Sequence, residues 1–235
     1  MTTDRINWTA LAIEFFSIFI AVTMAFALDK WNENRRDRLS ETKILLEIRH
    51  GLALDLLDME QNINGHRQGI KACIYFRKMI GGDEASPDSL GFHYYAILRD
   101  YISIQNASGY ESLKSKGLEL IENDSLRLHI ISLYDFHYQI LEKLEENYSE
   151  NQFDKNYFHP INDILTDHMA FDENGKMTTL AQPLPLSSKQ KAAFHIYVNR
   201  IQFNRQFVIS LYFNTKEKIQ ELIEEIDKEI AVESL

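Results

Sequence analysis

Residues 8–28 read WTALAIEFFSIFIAVTMAFAL and contain one charged side chain, Glu14. Trp8 and Trp31 bracket this apolar run, as aromatic residues do at the two interfaces of a bilayer. Trp31 lies 23 residues after Trp8. That separation gives about 35 Å of helix, and the hydrocarbon core of a bilayer is about 30 Å thick. Residues 8–31 are therefore predicted to form a transmembrane helix.

A cleavable signal peptide is the main alternative, because Ala25-Phe26-Ala27 has the A-x-A form of a processing site. Three features count against it. Only one basic side chain, Arg5, precedes the apolar run, and Asp4 offsets its charge. Glu14 interrupts the run, and no Pro or Gly breaks it before Ala25, so the A-x-A site should stay helical. We therefore expect an uncleaved anchor.

Two stripes of side chains run along the predicted span. One is bulky and apolar and consists of Leu11, Phe15, Ile18, Val22 and Phe26. The other, called the small-residue stripe below, consists of Ala10, Glu14, Ser17, Ala21 and Ala25. Small residues let helices approach closely in lipid, and an intramembrane carboxylate usually faces protein. We expect this stripe to be the seam of a homo-oligomer. The alternative is that Glu14 extends to the nearby interface and the alanines are incidental.

Basic residues are concentrated on the C-terminal side of the span. Arg5 alone precedes it, whereas five follow within fifteen residues: Lys30, Arg35, Arg36, Arg38 and Lys43. The positive-inside rule therefore predicts that the large C-terminal part lies in the cytoplasm.

Composition narrows the class of the remaining chain. Gly (9) and Pro (4) are scarce among 235 residues, which favours helices over an all-β domain. A net charge of −10 argues against a general binder of nucleic-acid phosphates, so no nucleic-acid partner is expected. Cys73 is the single cysteine, and the chain therefore has no internal disulfide.

The spacing of apolar residues predicts how the helices are arranged. The first helix should run to about Ile80, with a kink or break possible at Gly51, Gly65 or Gly69. Short helices should follow at about 92–105 and before Gly117.

The second half of the chain should contain two more long helices. A long helix capped by Asn123 or Asp124 should persist toward Asn151, with a further helical piece around Pro160. Residues 171–188 should be the longest loop, and Ser187 with Gln190 forms a capping box for a final helix over 189–231.

No segment has a convincing strand pattern. The fold class is therefore predicted to be all-α, with an N-terminal transmembrane helix continuing into an elongated bundle of about three long and two short helices. This divides the chain into four parts: an N-terminal tail (1–7), the transmembrane helix (8–31), a juxtamembrane long helix (32–80) and the rest of the bundle (81–235).

Two stretches carry a family resemblance. They are EFFSIFIAVTMAFALDKWNENRRDR, which has an acidic start and a W-N-x-x-R-like juxtamembrane motif, and YESLKSKGLELIENDSLRLHIISLYD, which has a Y-x-x-L-x-x-x-G pattern. Together they resemble a family of uncharacterised bacterial single-span membrane proteins over most of residues 10–150. The resemblance implies a protein of the bacterial inner membrane with a helical domain. Relatives with a longer basic N-terminal tail favour an extracytoplasmic domain, so the resemblance leaves the orientation open.

The sequence contains few patterns that indicate catalytic or metal chemistry. No HExxH, GxSxG, Walker or GxGxxG motif occurs, and no enzyme activity and no cofactor are expected. His159, Asp163, Asp167 and His168 could share a helix face and bind a metal, although such residues are far more often solvated.

Three residues on apolar helix faces and two aromatic stretches are further candidates for a functional role. His66 and His137 lie on apolar stripes and are expected to be core histidines, and Cys73 a buried inert thiol. The stretches FHYYAILRDY (92–101) and NYSENQFDKNYFHP (147–160) could line a ligand pocket or a partner surface. More commonly, such tyrosines pack with their hydroxyl groups in water.

The function predicted from these patterns is a non-enzymatic, self-associating, membrane-anchored helical scaffold or sensor. Its partners would be the lipid bilayer, further copies of the chain and an unidentified protein. The alternative is an oligomeric pore-forming membrane effector, of the kind used in bacterial defence, in which several spans enclose a polar path past Glu14.

Overall fold

The computed structural model describes residues 8–83, 86–181 and 184–233, without the side chains of residues 8–11, 87 and 233. The predicted tail 1–7 lies outside these residues. Helix α1 (Trp8–Gly81) is a single helix of 74 residues, about 110 Å long. Its first part is exposed up to Leu39, and its second part forms one side of the bundle. The predicted first helix is confirmed, and it contains no break.

Gly51, Gly65 and Gly69 do not break α1 but allow other segments to approach its backbone. A Cβ atom at Gly51 would lie 3.1 Å from that of Asn106. At Gly65 and Gly69 it would overlap the Tyr101 ring and the Arg205 guanidinium. The absence of a side chain at these positions is therefore used for packing.

The second long helix, α7 (Ser188–Glu233), packs antiparallel to the second part of α1. Its start has the predicted capping box: the Ser187 backbone N–H donates to Gln190 Oε1 at 2.9 Å, and the Gln190 N–H donates to Ser187 Oγ at 3.3 Å. Near the other end, Arg49 of α1 forms a bidentate ion pair with Asp227.

Shorter helices fill the space between α1 and α7. They are α2 (Leu90–Leu98), α3 (Ser108–Lys116), α4 (Asp124–Ser132), α5 (Tyr138–Glu142) and α6 (Phe153–Leu165). Single 3₁₀ turns occupy Pro87–Ser89, Leu118–Leu120, Ser149–Asn151 and Thr166–His168. As predicted, Gly117 ends α3, with φ of 103°, and the Asn123 side chain caps α4 by accepting from the N–H groups of Ser125 and Leu126.

The third long helix of the prediction differs in detail. Helical backbone continues from Asp124 to Asn147, but π-helical turns at Leu133–His137 and Lys143–Asn147 interrupt it on either side of α5. A π turn inserts an extra residue and rotates the side chains that follow it. The turns contain Tyr134 and Glu145, which both contact the segment after α2.

Helix α2 is shorter than predicted. The expected helix over 92–105 ends at Leu98, and residues 99–107, called the strap below, form neither helix nor strand. The strap leaves the helix because carboxylates from distant parts of the chain accept its backbone N–H groups, as described in the next section. Local propensity could not reveal those partners.

Residues 171–188 were expected to be the longest loop, but the first part of this stretch belongs to a small hairpin over residues 169–180. Strands β1 (Met169–Phe171) and β2 (Met177–Leu180) are antiparallel, with Met169 opposite Leu180. The Asp172 carboxylate accepts the N–H groups of Asn174 and Lys176, and Gly175 adopts a φ of 77° that favours glycine. Leu180 is buried in the core, which anchors the hairpin.

Two hydrophobic cores lie one after the other along α1 and α7. The proximal core, nearer the apolar N-terminal part, is centred on residues 44–63 of α1 and 208–226 of α7. The distal core is formed by residues 72–80 and 194–201, with α2, α6 and the hairpin. The all-α class and the bundle built on α1 are therefore confirmed.

Candidate functional site

The apolar N-terminal part of α1 is the first candidate. In the described part of the chain, one helix is long and apolar enough to cross a membrane, and its most apolar stretch of 18 residues buries nothing against the rest of the protein. A core helix of a soluble protein would be covered. Phe15, Phe19 and Phe26 are all more than half exposed.

Four residues of the small-residue stripe, Glu14, Ser17, Ala21 and Ala25, are exposed. The Ser17 hydroxyl donates to the Glu14 backbone carbonyl at 2.8 Å, so this polar group is satisfied within its own helix. Among the described residues, no basic side chain forms an ion pair with the Glu14 carboxylate. Trp31 is exposed at 59%, while the side chains of Trp8 and Ala10 lie outside the described part.

The second candidate is a buried polar layer where the strap crosses α1. Asp55 is 1% exposed and accepts three hydrogen bonds. Two come from Asn106, through its backbone N–H at 2.9 Å and its side-chain amide at 2.6 Å, and one comes from the Tyr138 hydroxyl at 2.6 Å. Asp58 accepts the Ile104 backbone N–H at 3.1 Å. These two carboxylates of α1 therefore hold one side of the strap.

Glu145, in the second π turn, holds the strap from the other side. Its Oε2 accepts the Ser103 backbone N–H at 3.0 Å and the Ser103 hydroxyl at 2.9 Å, and its Oε1 accepts the Tyr212 hydroxyl. Burial raises the pKa of both Asp55 and Glu145, although these hydrogen bonds partly oppose the rise. The partners are neutral donors, so both groups depend on hydrogen bonds instead of ion pairs.

Arg205 of α7 lies between the two cores and is fully buried. Its Nη2 donates to the carbonyls of Ala96, Ile97 and Arg99 at the C-terminal end of α2, at 3.3, 3.1 and 2.8 Å. The partial negative charge of a helix C-terminus suits a cation. Its guanidinium carbon also lies 4.1 Å from the centre of the Phe153 ring.

His66 of α1 is the remaining partner of Arg205. Its Nδ1 lies 3.2 Å from Arg205 Nη1 and must accept, so the imidazole is neutral. Burial and the neighbouring guanidinium lower the pKa of His66 to about 3, and burial lowers that of Arg205 to about 10. His66 Nε2 and Arg205 Nε are buried without a partner in the described part of the chain. His66 thus lies in the core as predicted, with one nitrogen unsatisfied.

Asp55, Glu145 and Arg205 were not predicted as site residues. For Asp55 and Arg205, the sequence does contain a pattern that indicates a buried polar contact. Asp55 falls between Leu52 and Met59 on the apolar stripe of α1. Arg205 likewise falls between Ile201 and Val208 on that of α7. A charged residue at the helical spacing of core positions indicates a buried polar contact.

The two aromatic stretches meet at the distal end of the bundle. Tyr94, Tyr95 and Phe158 line two adjoining cavities. One, of about 440 Å³, lies between α2, the start of the strap and α6, and the other, of about 430 Å³, lies between α2, α6 and the hairpin. The Tyr94 hydroxyl donates to Asn162 Oδ1 at 2.6 Å, while Tyr95 is 72% exposed. Cavities of this size accept small molecules or a side chain of a partner.

The possible metal ligands are not brought together. Helix α6 ends at Leu165, and Asp167 and His168 lie in the following 3₁₀ turn, off the face that carries His159 and Asp163. Among the described residues, no group of three or more His, Cys, Asp or Glu side chains is close enough to hold a metal. Cys73 is fully buried in the distal core, and burial raises the pKa of its thiol to about 11.

Comparisons with protein-family models, with curated proteins and with solved structures find no match for the chain. The resemblance to single-span bacterial membrane proteins therefore rests on the two sequence motifs. The features available for a functional proposal are the exposed apolar part of α1, the small-residue stripe, the polar layer and the distal cavities.

Proposed function

We propose that the chain is a membrane-anchored, self-associating scaffold or sensor without enzymatic activity. The observation that carries the proposal is the continuity of α1, whose apolar start is uncovered and whose later turns form one side of both cores. A displacement or rotation of this helix in the membrane would move the bundle with it.

Membrane insertion is supported by the cost of the exposed apolar surface in water. Side chains such as Phe15, Phe19 and Phe26 would each cost on the order of 1 kcal/mol when left in water, which lipid removes. The A-x-A sequence at Ala25–Ala27 lies in the middle of an unbroken helix, which supports an anchor that is not cleaved. The proposed location is the bacterial inner membrane, with the helical bundle in the cytoplasm.

Self-association is supported by the composition of the exposed stripe. Ala21 and Ala25 present almost no side chain, so a second helix could approach the backbone closely there. Glu14, which lacks an ion-pair partner among the described residues, would be shielded from hydrocarbon within such a contact.

A role as scaffold or sensor is supported by the distal end of the bundle. The cavities beside Tyr94, Tyr95 and Phe158 are open to solvent-borne partners. Helix α2, which lines both, packs against residues 72–80 of α1, more than 40 residues after Trp31. An unidentified protein or small molecule bound there would be rigidly connected to the membrane helix.

The mass of the purified protein in detergent tests the seam. We expect wild type to be a homo-oligomer and Ala21→Leu with Ala25→Leu to weaken it, because larger side chains separate the two backbones. Val22→Leu with Phe26→Leu, on the bulky stripe, is the matched control and should keep the wild-type mass. Light scattering that shows equal masses for all three proteins would rule out the seam.

Ion flux across vesicle membranes separates the scaffold from the pore-forming alternative. Vesicles containing wild-type protein should show no ion flux above that of empty vesicles. Flux that appears with wild type and disappears in Glu14→Ala would replace the scaffold with an oligomeric pore.

A further inference from the structure

The outward side of α1 beyond the membrane carries apolar residues that nothing in the bundle covers. Leu39, Leu46 and Leu57 are 64%, 49% and 63% exposed, and Ala53 between them is also exposed. The opposite side of the same turns holds Leu45, Ile48, Leu52 and Met59, which are buried in the proximal core. A row of uncovered apolar side chains along one helix face is available for contact with another molecule.

This aqueous stripe continues the small-residue stripe of the membrane segment. Ala25, Leu39, Leu46 and Ala53 are separated by 14, 7 and 7 residues. The aqueous stripe consists of Leu39, Leu46, Ala53 and Leu57. With 3.6 residues per turn, these four residues lie within about 40° of Ala21 around the helix axis. Since α1 is unbroken between Ala21 and Leu57, both stripes share one face. A repeat of seven residues is the spacing by which two helices stay in contact as they coil.

We propose that a second copy of the chain covers this stripe, so that two α1 helices pair in parallel from the membrane into the aqueous phase. The inference rests on the proposed self-association and extends it. Two copies anchored by the same apolar segment enter the membrane at the same depth and in the same direction. Each leucine of the stripe would then stand level with its own counterpart, as a two-fold interface requires.

The polar residues of the same face fit such a pair. Lys43 and His50 alternate with Leu39, Leu46 and Ala53 at spacings of three and four. A polar residue at a core position of a coiled coil specifies register and oligomeric state at a cost in stability. The long side chain of Lys43 can extend its ammonium group away from its counterpart into water. The bundle does not obstruct the contact, because α2, α3 and α7 pack on the other side of α1.

Disulfide formation between single cysteines in the full chain, reconstituted in lipid vesicles, tests the pairing. Leu46→Cys lies on the stripe, and Glu47→Cys, its neighbour on the exposed edge, is the matched control. Native Cys73 is fully buried, and wild type therefore measures the background. We expect about tenfold more cross-linked dimer from Leu46→Cys than from Glu47→Cys after mild oxidation, because a disulfide needs Cβ atoms about 4 Å apart.

Three outcomes would overturn the inference. Equal cross-linking of the two variants would indicate random collision. No cross-linking of Leu46→Cys, together with full labelling by a water-soluble maleimide, would show an uncovered stripe. If Leu46→Cys gives no cross-linked dimer and is not labelled by the maleimide, lipid headgroups cover the stripe. In each case, a wild-type oligomer that Ala21→Leu with Ala25→Leu disrupts would leave the proposed function standing, with contact restricted to the membrane.

Discussion

The contact between His66 and Arg205 shows how a single buried cation is accommodated. Arg205 has no carboxylate within ion-pair distance among the described residues, and its charge is met by the three carbonyls at the end of α2 and by the Phe153 ring. A neutral His66 completes this arrangement by accepting a hydrogen bond. Protonation of His66 would place two cations side by side in the buried interior.

His66 should therefore make folding stability depend on pH. Its pKa is lowered in the folded state, so the unfolded chain binds the extra proton and stability falls as pH drops below 6.5 toward 3. Between pH 7 and pH 5, wild type should lose about 2 kcal/mol more than His66→Gln, whose amide oxygen can still accept from Arg205.

Urea titrations of both proteins at several pH values measure this difference. Asp55 and Glu145 contribute with the opposite sign, because their raised pKa values favour the folded state as pH falls, but they are present in both proteins and cancel. Parallel stability curves for wild type and His66→Gln would contradict the assignment.

At the scale of the elements, the strap is held by α1 and the second π turn instead of by its own backbone. Gly65 matters because the Tyr101 ring occupies the space of a side chain there. Gly65→Ala should destabilise the fold by about 2 kcal/mol, since overlap with the ring outweighs the gain of about 1 kcal/mol in helix propensity.

Gly81→Ala is the matched control in the same helix. Nothing lies within 4 Å of a Cβ atom at Gly81, so this variant should stay within about 0.5 kcal/mol of wild type. The free energy of unfolding in urea is again the measurement. A Gly65→Ala protein as stable as Gly81→Ala would mean that the strap can shift away from α1 without cost.

At the scale of the whole molecule, α1 joins an exposed apolar segment to both cores. In the proposed function, this helix sets the side of the membrane on which the bundle lies. Glu224→Cys provides an exposed reporter on α7, while native Cys73 is buried. A membrane-impermeant maleimide should leave this variant unlabelled in intact cells and label it after permeabilisation, because the basic residues after Trp31 favour the cytoplasmic side. Labelling of intact cells would reverse the orientation.

Local features of the chain determined much of its architecture. The apolar run at residues 8–28, the helical spacing of core residues along α1 and α7, and the caps at Asn123 and Ser187 all involve neighbours within a few turns. Their free energies depend on residues three or four apart, which a sequence displays directly. The face shared by Ala21 and Ala25 is likewise a property of one helix.

Only the tertiary structure decided where helical propensity gives way. Residues 99–107 leave the helix because Asp55, Asp58 and Glu145, more than 40 residues away, accept their N–H groups. Other contacts between distant segments also depend on the tertiary structure. Arg205 is buried against His66, the Tyr101 ring packs on Gly65, and the two aromatic stretches line the same cavity. Such contacts form because a buried polar group must find a partner wherever the fold supplies one, and the order of residues along the chain does not show which partner that is.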